Sequence, residues 1–210
     1  MHAPIGAATL MNQRYRKPEE PRHAEDALED EPYSEVGESF VSSRAAILHE
    51  ITEDHIIFSW DRCLGLVWKR DTTVAGMEAY TQVYREQLLR FPSGIYLLTV
   101  VEQDATMPGY EAREAVAVFM RAGAERIRMS AVVHEGAGFR AAAVRSVVTG
   151  FTMLAKVPYP HRIFATVEQG AKWLGTTKYR DVDEEYSVIA VKDARRRAEE
   201  QLAASSAGAR

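Results

Sequence analysis

The sequence predicts an α/β fold: one domain with a mixed, mainly parallel sheet and flanking helices, set between disordered tails. Three observations predict it. Short runs of β-branched and aromatic residues alternate with helix-length amphipathic segments across residues 44–177. The strongest run, residues 95–102 (IYLLTVVE), is apolar almost throughout, as a central strand covered on both faces must be. The later runs are spaced by segments long enough for helical crossovers, which parallel pairing requires.

Residues 1–43 differ from the rest of the chain. After a basic cluster (Arg14, Arg16, Lys17), residues 18–38 hold Glu19, Glu20, Glu25, Asp26, Glu29, Asp30, Glu31, Glu35 and Glu38 against Arg22 alone. So much like charge with so little apolar surface cannot offset chain entropy, which predicts a disordered acidic arm. It serves either as a solubilising tail or as an arm docking on a basic partner or on this protein's own basic second half.

Within the domain, residues 47–51 fit either a strand or a short helix. Residues 55–60 and 64–69 read as two strands joined through Asp61-Arg62-Cys63. Residues 74–91 form a helix capped by Thr72 or Thr73, with Val74, Met77, Tyr80, Val83, Tyr84, Leu88 and Phe91 on its apolar side. Pro92-Ser93-Gly94 ends it. Pro108 opens the next helix, whose buried side is Ala112, Ala115, Val116, Phe119 and Met120. A strand over 128–134, a helix over 139–155, a strand over 162–167 and a short helix over 168–174 complete the domain. Residues 178–210 are expected as a charged helix (DARRRAEEQL) and a flexible tail.

Composition narrows the function. The chain is 46% hydrophobic and 27% charged with a net charge of -4, which argues against a dedicated nucleic-acid binder. Cys63 is the one cysteine, so no internal disulfide forms. Residues 1–11 lack the pattern of a secretory signal, and no apolar run is long enough to cross a bilayer. A cytoplasmic location is expected.

Few motifs carry chemistry. Glu135-Gly136-Ala137-Gly138-Phe139-Arg140 follows a strand and opens a helix, so Gly136 and Gly138 could present backbone N–H groups to an anion, with Arg140 and Arg145 adding charge. The run is neither a Walker loop nor a dinucleotide fingerprint, and glycines here also serve simply to turn the chain. The six histidines are scattered without metal-ligand spacing, and no nucleophile elbow exists; Ser130, His134 and Asp104 are the nearest approach to a triad. No metal and no cofactor is expected. Small residues Ala141, Ala142, Ala143, Ser146 and Gly150 suit close helix packing, or a homo-oligomer surface.

The element order, with a strand ending Val132-Val133-His134, a strand Ile163-Phe164-Ala165-Thr166-Val167 and a closing Ala171-Lys172-Trp173-Leu174, resembles the STAS/SpoIIAA-like domains of bacterial anti-sigma-factor antagonists and their CRAL-TRIO-like relatives. The resemblance spans residues 47–174. In phospho-regulated members, a strand is followed by an acid and two hydroxyl residues, the last of which a kinase modifies. Asp104 and Thr106 keep that acid and hydroxyl; Ala105 and Met107 replace the middle serine and the following glycine. The resemblance implies a possible phospho-switch at Asp104 and Thr106. The residues alone offer a plainer role, Thr106 as the cap of the helix that Pro108 opens.

The expected function is therefore that of a non-enzymatic regulatory or scaffolding domain that binds another protein. The alternative is a small-molecule, anion or lipid-binding module using loops 104–109 and 135–140 at the strand C-terminal ends.

Overall fold

Six strands hydrogen-bond in chain order to make one sheet. The computed structural model describes residues 45–136, 157–177 and 181–208. The acidic arm, the helix expected over 139–155, and Gly138, Arg140 and Arg145 lie outside them. β1 (Ile47–Ile51), β2 (His55–Trp60) and β3 (Cys63–Trp68) form an antiparallel meander. β4 (Ile95–Val101), β5 (Ile127–His134) and β6 (His161–Phe164) then add in parallel beyond β3. The segment open to either reading is thus a strand, and the mixed, mainly parallel α/β sheet is present.

Local chemistry explains the joints. β2 and β3 are connected by Asp61-Arg62, and Asp61 takes φ 43, a left-handed conformation that a short acidic side chain tolerates. α1 (Val74–Arg90) crosses from β3 to β4, and the Gly76 N–H donates to Thr73 Oγ1 at 3.0 Å, a side-chain cap. α2 (Tyr110–Ala122) crosses from β4 to β5. It begins two residues after Pro108, on Gly109, with no side-chain cap. Thr106 is therefore not its cap, a correction to the plainer reading of that residue.

Alternation along the strands divides the core between two faces. On one face Leu64, Leu66, Trp68, Ile95 and Leu97 pack with Met77, Tyr80, Val83 and Tyr84 of α1 and Phe119 of α2. On the other, Cys63, Val67, Tyr96, Leu98, Val100, Ala131 and Val133 meet α3 (Val167–Gly175) and α4 (Glu184–Gly208). Trp60, Trp68, Tyr80 and Tyr84 are buried.

α4 departs from expectation. Rather than a charged helix appended to the domain, it runs 25 residues and buries Tyr186, Ser187, Ala190, Val191, Ala194 and Ala198. Trp60 Nε1 donates to Ser187 Oγ at 3.2 Å, and Arg197 donates to the Ala46 carbonyl at 2.7 Å. The domain therefore includes most of the segment assigned to a tail.

Candidate functional site

Three features meet where β4 and β5 end: the loop that follows β4, the turn that follows β5, and a cavity between α2 and the sheet. In the loop, Ala105 is buried while Asp104 and Thr106 are exposed. The Thr106 N–H donates to the Arg70 carbonyl at 2.9 Å, and its hydroxyl donates to the Asp71 carboxylate. Thr106 thus ties the loop to the chain between β3 and α1. Its hydroxyl is directed at Asp71 and not at Asp104.

The turn after β5 begins with Glu135, whose N–H donates to the Val101 carbonyl at 2.9 Å. Gly136 comes next at φ 127, where a side chain would be strained. This is the role of a turn glycine. Arg195 of α4 pairs with Glu135 at 2.7 Å and Glu102 at 3.1 Å, so the carboxylates beside the turn already hold a cation. Burial holds the Glu102 carboxyl above its ordinary range, with Arg195 opposing and Glu135 adding to the effect. Gly136 is the one member of the candidate anion loop among the described residues.

The cavity has a volume of about 160 Å³. Val116, Phe119 and Met120 of α2 line one side, and Thr99, Ser130, Val132, His134, His161 and Ile163 of the sheet line the other. Tyr80 of α1 and Tyr159, just before β6, close its flanks, while Thr106, Met107 and Pro108 stand at the solvent side. Most of this wall is apolar, yet several polar groups face inward. The Tyr159 hydroxyl and both ring nitrogens of His161 are buried without a hydrogen-bond partner. The buried Tyr80 hydroxyl lies beside Thr99. Burial lowers the His161 pKa to about 4, so its ring is neutral at pH 7, with one nitrogen a donor and the other an acceptor. Burial raises the pKa of the Tyr80 and Tyr159 phenols, which stay protonated.

Ser130 and His134 share this cavity, but Asp104 stands on the exposed loop and not among its lining residues, so the three are not assembled as a triad. Among the described residues no three of His, Cys, Asp or Glu gather in a way that could hold a metal ion. No described helix is long and apolar enough to cross a membrane. Sequence reasoning missed Tyr159 and His161 because a stretch between two prolines reads as a loop, and His161 counts as one scattered histidine. It missed Arg195 because DARRRAEEQL reads as a solvated helix.

No family model matches the chain, and no curated protein matches it. The chain is similar in structure to an uncharacterised protein of the DUF3478 family, with a SpoIIAA-like fold, from Shewanella loihica PV-4. The two are 14% identical, and the match covers 62% of this chain and 92% of the other, with a TM-score of 0.39.

Proposed function

We propose that this chain is a non-enzymatic regulatory or scaffolding domain that binds another protein through the outer face of α2 and the loop leading into it. One observation carries the reading. Met107, Tyr110 and Val118 are 48%, 70% and 55% exposed. Tyr110 and Val118 lie eight residues apart, about two turns, and so share one helix face. Single exposed apolar residues are ordinary; a tyrosine and a valine on one side of a helix, with an exposed methionine in the loop before it, have the composition of an interface. The resemblance of the element order to anti-sigma-factor antagonists supports the same reading.

The test is site-specific photocrosslinking of the full chain in lysate of its own host. A crosslinker at Tyr110 is expected to capture a discrete protein, and Val118→Glu to abolish that capture. A crosslinker at Leu89, 83% exposed on α1, should capture nothing comparable. Equal labelling from both positions, or indifference to Val118→Glu, counts against the proposal.

A further inference from the structure

The inner side of α2 carries a second inference, independent of what binds its outer side. Helix α2 and the sheet do not close against each other over Thr99, Ser130 and Val132; the cavity lies between them. A packed core would fill such a space with side chains. Apolar cavities of about this volume accept benzene-sized molecules. This one differs from a plain packing defect because its wall also bears buried polar groups that find no hydrogen-bond partner among the described residues. Tyr159 is 6% exposed with an unpartnered hydroxyl, and neither nitrogen of His161 has a partner. They neighbour each other in the chain, either side of Pro160, and both line the cavity. Buried polar groups are ordinarily paired, so a cluster left over inside an apolar pocket is what a ligand's polar group would complete.

We propose that this cavity binds a small, uncharged, mainly apolar molecule of about six to ten non-hydrogen atoms with one hydroxyl or carbonyl group held by Tyr159 and His161. The wall selects the class. None of its described residues is Asp, Glu, Lys or Arg, so none of them would offset the desolvation of an ionic ligand. Phe119 meets the rings of Tyr80 and Tyr84 at 5.1 and 5.2 Å, and this aromatic cluster suits a ring or a branched hydrocarbon. A tyrosine hydroxyl and a neutral imidazole offer both donor and acceptor, which fits a hydroxyl on the ligand.

Phenol, toluene and benzoate are the probes, titrated into the full chain while following thermal unfolding and the His161 ring signals by NMR. Phenol is expected to raise Tm with concentration and to shift the His161 signals, toluene to bind about tenfold more weakly, and benzoate not to bind. Tyr159→Phe should lower phenol affinity about tenfold and leave toluene unchanged. Should that variant fail to fold, Val132→Leu, which fills the space from the sheet side, is expected to weaken both neutral probes together. Ordered water alone at Tyr159 and His161 in a structure grown with phenol overturns the proposal. Equal affinity for phenol and toluene, or saturation by benzoate, overturns it as well. None of these outcomes depends on the crosslinking at Tyr110.

Discussion

Gly65 faces Phe58 across the β2–β3 pair. A Cβ placed on Gly65 would lie 2.4 to 2.7 Å from three atoms of the Phe58 ring, which stacks on Trp60 and is fully buried. The glycine is thus the space into which the ring lies down over the sheet. Gly65→Ala is expected to cost about 1–3 kcal/mol, measured by urea unfolding, because a fully packed ring has nowhere to move. His161 supplies a pH dependence. Its folded pKa of about 4 lies below the unfolded value of about 6.5, so the unfolded chain takes up the proton first as pH falls. Stability is therefore lost between about pH 6.5 and 4, by on the order of 3 kcal/mol from this group. His161→Gln should flatten that part of the stability curve relative to the parent; an unchanged slope would place the effect elsewhere. Thr106 gives a third expectation. Thr106→Glu replaces a donated hydrogen bond to Asp71 with like-charge repulsion, so amides 104–109 should exchange faster with deuterium while the β4 amides do not.

At the scale of elements, α4 is the one whose importance a sequence reading underrates. Its inward stripe is largely Ala190, Ala194 and Ala198, small residues at four-residue steps that read as a solvated helix when flanked by Arg195, Arg196 and Arg197. Small side chains let the backbone approach the sheet, so burial comes from proximity and not from bulk. Deleting 184–210 should leave Phe58, Trp60 and Val100 without cover and abolish the cooperative transition seen by circular dichroism. Truncation after residue 202 removes mostly exposed side chains and should change stability by less than about 0.5 kcal/mol. Other elements are legible from pattern. β4 announces itself by seven strand-forming residues in succession, and α1 by its Thr73 cap and regular apolar spacing. α2 starts later than the sequence suggests: Pro108 suits a first helical position, yet Thr106 and Pro108 belong to a loop held by Asp71 and Arg70. The cavity is not legible from pattern, since its described wall comes from residues on four strands and two helices whose side chains stop short of one another.

For the whole molecule, the described elements fall within one unit, Val41–Arg210. Each strand pairs with its predecessor in the chain, so the sheet needs no distant strand to complete a pairing. Two packed faces and a helix clamped by Arg195 to the ends of β4 and β5 hold the described elements of this unit together. A chain beginning at Val41 is expected to keep its melting temperature within about 2 °C of the full chain by calorimetry. A larger fall would mean that the preceding residues contribute to the core.

The same strand order leaves β1 and β6 at the two borders of the sheet, and each border is spoiled as a template. β1 carries a register irregularity between Leu48 and Glu50 and exposes His49. β6 has four residues, follows Pro160 and presents Arg162. An irregular, charged or very short border resists the addition of a foreign strand. The described sheet is consequently poorly suited to growing fibres by edge-to-edge stacking.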